Sequence, residues 1–398
     1  MTHTLHTSDT TPHSIFIFLL CIYFTAICLN PSASEPIGAI ALIVSAVMLG
    51  KSSNLRQFLW DSSLLSLLTF GLYCSFINII GPGDVARTGI IYGWIIPLVL
   101  GKAFILFRHQ TVQKDILAAA LALAGVMLVA QLLLAFDIKH IDNLGLDLQY
   151  LKLTFRNVSR TALFVAVGCM VCFTQFIFAS SYRSRLLTMT AGIILLSALL
   201  VTERRMTLAA LLICCGFLLA SRRSFRAIVL GLAAIVCIIF LFGKAERFDL
   251  RPGHLLASQG ERLTVWYAAV EIIKTHPLTG SGFRTFKEAA APHVETYRAS
   301  HPKEGAYENL EDAHNLPLHL LSENGIIGMA IFSLIFFFPL RNCWQLRSTN
   351  PAAIPLLSSI ALILLNSQLH VNIFSLNVSG LLFLLVGAAS GIGEEHRR

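Results

Sequence analysis

The chain predicts an all-α polytopic membrane protein, with about twelve transmembrane helices and a helical cap outside the bilayer. Three observations predict it. Of 398 residues, 55% are hydrophobic and only 13% charged, far from the balance of a soluble domain. Apolar runs long enough to cross a bilayer recur along nearly the whole length. Backbone amides cannot face lipid unpaired, so such runs must be helices.

The runs fall at 14–30, 36–50, 60–81, 89–107, 115–136, 160–180, 186–201, 207–221, 226–242, 315–340, 353–370 and 372–390. Residues 1–13 hold no Lys or Arg, and no small-residue cleavage site follows the first run, so that run is expected to be a retained helix. Basic residues set the orientation. With the amino terminus inside, the cytoplasmic loops hold Lys51, Arg56, Arg108, Lys114, Arg183, Arg185, Arg222, Arg223, Arg226, Arg341, Arg347, Arg397 and Arg398. The short loops opposite hold only Arg87, Arg204 and Arg205, the asymmetry that the positive-inside rule demands. Both termini are therefore expected in the cytoplasm. The net charge of +8 is absorbed by topology and calls for the membrane, not nucleic acid, as partner. Nine cysteines lie in membrane runs or beside cytoplasmic ends and none in 243–313, so no disulfide framework is expected. Cys169-x-x-Cys172 sits inside an apolar run and reads as packing.

This pattern divides the chain into three parts. Residues 1–242 hold nine spans, 243–313 form a large external loop, and 314–398 hold the last three. A smaller external segment, 137–159, carries Asp137, Lys139, His140, Asp142, Asp147, Lys152 and Arg156. The large loop is too short for an independent core and is expected to pack as a cap on the bundle. Within it, Ser258-Gln-Gly-Glu261 has capping-box spacing and predicts a helix start. Leu263, Trp266, Tyr267, Val270 and Ile273 then predict one apolar face, which Pro277 ends before a turn at Gly280 and Gly282. A second helix is expected over 284–297, interrupted near Pro292.

His314 and Asn315 stand where the polar loop re-enters an apolar helix. A titratable ring at that depth is costly without a task. The spacing predicts His314 in the first turn of the tenth span, where the helix dipole favours a neutral imidazole able to accept a proton, while Glu311 and Asp312 push the other way. The alternative is an interfacial histidine that merely caps a helix. His319 and Glu323, one turn apart, read as a polar pair between packed helices. The external arginines Arg156, Arg160, Arg204, Arg205 and Arg262 suit phosphate or diphosphate, which guanidinium forks bind bidentately. Snorkelling to lipid phosphates is the competing reading for each. Absences narrow the chemistry further. No H-E-x-x-H, Cys/His ligand set or D-x-D is present, so no metal and no cofactor is expected. No phosphate-binding G-x-x-x-x-G-K-[ST] supports an ATP-driven pump, and carboxylates are nearly missing from the membrane runs, where coupled transporters carry them.

Three local motifs resemble those of the O-antigen ligase family, within the ligase/polymerase superfamily of bacterial envelope glycans. The first is H-[NSQ]-x9-G-x-x-[GTY], met by His314, Asn315, Gly325 and Gly328. The second, Arg262-Leu-Thr-Val-Trp266 followed by Pro277-Leu278-Thr-Gly280-Ser-Gly282, is similar to the superfamily's R-x-x-x-W … P-[LI]-x-G-x-G stretch. The third, Thr202-Glu-Arg204-Arg205-Met-Thr-Leu-Ala, is similar to the arginine that opens a short external turn. It departs from the pattern by its adjacent arginines and by Met206 in place of a small residue. Arg205 puts the Thr-Leu-Ala run in register. The resemblance implies transfer of a polysaccharide from undecaprenyl diphosphate to a sugar hydroxyl of lipid A–core, on the periplasmic face of the bacterial inner membrane. It implies inversion without metal, His314 as general base and arginines at the diphosphate. A polymerase using the same donor is the nearest rival, since Arg205 and Gly216 have R-x10-G spacing. A lipid-linked glycan transporter is the more distant one, to which Lys102, Asn366 and Gln368 would belong.

Overall fold

The computed structural model describes residue 40 and residues 61–108, 112–136, 140–141, 146–147, 157–179, 181–221, 252–301, 311–368 and 372–395. The spans expected at 14–30, 36–50 and 226–242, and Arg156, lie outside the described residues. The other nine expected spans are all present as helices. They are α1 (Ser62–Ile80), α2 and α3 (Gly89–Gly93 and Ile95–Arg108, one span with a break), α4 (Val112–Ala135) and α5 (Val158–Phe178). After these come α6 (Tyr182–Val201), α7 (Arg205–Ser221), α10 (Leu316–Leu346), α11 (Ala353–Asn366) and α12 (Leu376–Glu395). Between α7 and α10 stand the cap helices α8 (Pro252–Thr275) and α9 (Phe286–Ser300). In the 137–159 segment, His140–Ile141 and Leu146–Asp147 pair as a minimal antiparallel ladder. The protein is an all-α polytopic membrane protein.

Polar residues at the ends of the apolar runs start these helices. Asp61 accepts from the amides of Ser63 and Leu64 at the head of α1, and Asn157 accepts from Ser159 at the head of α5. Small residues then allow close packing inside the bundle. A Cβ on Gly101 of α3 would overlap the Leu384 carbonyl of α12, and one on Gly387 would overlap the Leu98 carbonyl. At the start of α1, buried Asp61 pairs with Lys102 of α3 at 3.0 Å and accepts from Ser390 of α12. One carboxylate thus ties three helices.

The cap has its own small core of Val265, Ala268, Ala269, Ile272, Phe286, Ala290 and Val294. Phe283 leaves it and enters the bundle core, edge-on to Phe70 and Phe374. Three sequence expectations are corrected here. α8 opens at Pro252, where a missing N–H costs nothing, so Ser258 is interior and opens no helix. Pro292 does not interrupt α9, whose Phe286–Ser300 run passes through it. The buried stripe of α8 is the alanine-rich one, whereas Leu263, Tyr267 and Val270 are exposed. The reason is which face meets α9: Val265, Ala268, Ala269 and Ile272 pack on Phe286, Ala290 and Val294, and the opposite face keeps its large apolar residues exposed.

Candidate active site

Hydrogen bonds gather the three motifs at one end of the bundle. Thr207, two residues into α7 from Arg205, donates to Oδ1 of Asn366 at 3.0 Å, at the end of α11. The next residue, Ser367, accepts from the Leu316 amide at 3.1 Å, at the head of α10. The α11 terminus therefore stands between the Arg205 and His314 ends. Trp266 of α8 closes the arrangement by donating its indole N–H to the Ala313 carbonyl at 2.9 Å, beside His314. Arg262 lies one turn before Trp266, about 6 Å along the helix. Arg160 enters α5 at this same end, because α5 and α6 are antiparallel across a short link and α6 ends in the Thr202–Arg204 turn. Arg160, Arg204, Arg205 and Arg262 are all half-buried.

His314 is not in the first turn of α10, which corrects the sequence expectation. Asn315 is the N-cap, its side chain accepting from the Leu318 amide at 3.0 Å, and the helix begins at Leu316. His314 precedes the cap with φ at 47°, a conformation costing a non-glycine residue roughly 1–2 kcal/mol. Asp312 holds it there: Oδ1 accepts from the His314 amide at 2.7 Å and stands 3.2 Å from Nδ1. In the arginine turn Glu203 is likewise left-handed, at 52°. Left-handed non-glycine backbone of this kind clusters at functional sites.

The glycines of the motifs have a structural task. α10 breaks at Gly325, with φ 61° and ψ −171°, and the loop after α8 is laid into the break. Ser281 and Gly282 donate to the Ser322 and Glu323 carbonyls at 2.9 and 2.8 Å. Ile326 and Ile327 donate back to Pro277 and Leu278 at 3.0 and 3.3 Å. A Cβ on Gly280 would strike the Glu323 backbone, and one on Gly325 the Leu278 carbonyl. Gly328 lets Tyr73 of α1 approach, and its hydroxyl donates to the Asn324 carbonyl at 2.7 Å.

Sequence reasoning paired Glu323 with His319, as found, but missed its second task, and it missed Asn78 altogether. Glu323, buried in the membrane run, accepts from the Arg284 and Phe286 amides at 2.8 and 3.0 Å and so caps α9. His319 Nε2 lies 3.5 Å from it, boxed between the Phe286 and Phe374 rings, which makes the pair a packing device. Asn78 of α1 binds Phe283 in both directions, its Oδ1 accepting at 2.8 Å and its Nδ2 donating at 3.2 Å. A carboxylate and an amide inside apolar runs were the available signals, but their partners lie 37 and 205 residues away. Among the described residues no three His, Cys, Asp or Glu side chains are grouped to hold a metal ion.

Fold and site together define a multi-pass membrane protein in which the heads of α7 and α10 and Trp266 of the cap meet at the end of α11. Residues 190–333 match the family model described as O-antigen ligase. Over this segment the chain is similar to the O-antigen ligase family, the one whose motifs it resembles. The match holds Arg204, Arg205, Arg262, Trp266 and His314 but neither Arg156 nor Arg160. No curated protein matches the chain.

Proposed function

We propose that the protein is a ligase that moves an O-antigen polysaccharide from undecaprenyl diphosphate to a sugar hydroxyl of lipid A–core, with inversion and without metal. The observation that carries this reading is the convergence at the α11 terminus, which brings the heads of α7 and α10 together with Trp266 of the cap close by. In the reaction, the acceptor oxygen bonds to the anomeric carbon as the bond from that carbon to the diphosphate oxygen breaks. The electron pair leaves on undecaprenyl diphosphate, and the acceptor's proton passes to His314. The leaving group is good, so stabilisation of its charge matters more than its protonation. Arg205 and Arg262, supported by Arg204, Arg160 and Arg156, supply preorganised positive charge. The acceptor hydroxyl is a weak nucleophile and needs the base. The cap and its site face the periplasm, and both termini are cytoplasmic, in keeping with the basic-residue asymmetry.

Two features favour a ligase over its rivals. Gly216, the partner of Arg205 in the polymerase-like spacing, lies within α7 about 16 Å down the helix and not on an external loop. The polar groups a transporter path would use are engaged elsewhere: Lys102 with Asp61, Asn366 with Thr207, and Gln368 with the Leu364 carbonyl. The test is the lipopolysaccharide of a null strain complemented with this chain. Loss of core-attached polymer in the null, with lipid-linked polymer retained and attachment restored by the chain but not by its His314→Ala variant, is expected. Accumulation of single repeat units in the null would make it a polymerase instead.

A further inference from the structure

The segment Asp312-Ala313-His314-Asn315 is pinned at successive points. Ala313 is fully buried and its carbonyl is held by Trp266, Asn315 caps α10, and the Leu316 amide is held by Ser367. Asp312 differs from these pins in one respect: its carboxylate reaches the ring of His314 as well as its backbone. The same oxygen that accepts the His314 amide at 2.7 Å lies 3.2 Å from Nδ1. Both side chains are about three-quarters covered, with 22% of His314 and 27% of Asp312 exposed.

We propose that Asp312 is a positioning residue for the transfer, acting through His314. The inference rests on the reading of His314 as the base. Two physical effects come from one side chain. As an acceptor two residues before His314, it closes an Asx-type turn that holds the left-handed backbone and so aims the imidazole. As an anion beside Nδ1, it favours the tautomer with the proton on that nitrogen, which leaves Nε2 with the lone pair. The acceptor hydroxyl's proton then passes to Nε2, while the Nδ1 proton stays facing Asp312. The positive charge that the ring gains is balanced by the carboxylate, as in catalytic triads.

The two effects separate by substitution. Asp312→Asn keeps an oxygen for the turn and loses the charge. Asp312→Ala loses both. Transfer is measured with purified lipid-linked donor and acceptor at matched membrane levels. Asp312→Asn should lower kcat by about 10²-fold or more, since loss of the orienting carboxylate of a triad costs up to about 10⁴. Its donor KM should stay within about twofold of the unmutated protein, because an effect through the base does not touch ground-state binding. In a His314→Ala background, adding Asp312→Asn should cost nothing more, the non-additivity of two residues acting as one unit. Near-normal kcat in Asp312→Asn, a defect confined to KM, or an independent loss in the His314→Ala background each overturns the proposal. The two readings fail separately. Normal transfer by His314→Ala defeats the base, whereas an inactive His314→Ala beside a normal Asp312→Asn defeats only Asp312.

Discussion

Gly325→Ala tests whether the break in α10 is a designed seat for the cap loop. Gly325 has φ 61° and ψ −171°, a region open essentially to glycine alone, so alanine there costs about 1–3 kcal/mol in backbone strain. The added Cβ also overlaps the Leu278 carbonyl, so the loop must retreat. That retreat breaks the bonds from Ile326 to Pro277 and from Ile327 to Leu278, each worth about 1 kcal/mol net. The sum is about 3–5 kcal/mol, at the severe end for a single substitution. The same change at Gly216 meets nothing within 4 Å and lies in a helix, where alanine is better than glycine by about 1 kcal/mol. Thermal aggregation of both detergent-purified variants, followed by gel filtration, together with transfer in membranes, checks the pair. Gly325→Ala should melt well below the unmutated protein and lose most transfer, while Gly216→Ala should do neither. Equal melting of the two variants, with transfer intact in both, would refute the argument. Loss of transfer in Gly216→Ala alone would revive the polymerase spacing.

Three further outcomes are expected. Arg205→Ala and Arg262→Ala should abolish transfer, with lysine rescuing only partly because a point charge cannot reproduce a bidentate fork, and activity should survive EDTA; a fully active Arg262→Ala, or EDTA inhibition reversed by magnesium, counts against the mechanism. A cysteine in place of exposed Lys287 should react with an impermeant thiol reagent from the periplasmic side; labelling only after the inner membrane is opened overturns the orientation. Lys102→Met strands the buried Asp61 carboxylate and should destabilise by roughly 3–5 kcal/mol. Adding Asp61→Asn should recover much of that, read as melting temperature, and a double variant as unstable as the single one would show that the pair is not what ties α1, α3 and α12.

The membrane helices were legible because bilayer thickness and backbone satisfaction act on each segment alone: nine expected spans reappear, with ends shifted by several residues at α10 and α11. His314, Asn315 and the external arginines were likewise visible as polar groups where apolar runs begin. Composition did not determine which stripe of α8 is buried, because Leu263 and Val270 are apolar enough for either side. The stripe of Val265, Ala268, Ala269 and Ile272 won, because it is the one α9 packs against. Nor could spacing show why Gly280 and Gly325 must be glycines, for each answers to backbone about 45 residues away. The same holds for the capping role of Glu323, whose partners at the α9 head reach it only in the folded chain. Local physics placed the nine described spans along the chain. Only the tertiary structure could place the α11 terminus between Thr207 and Leu316, because a hydrogen bond between distant segments exists only once the helices that carry them are packed.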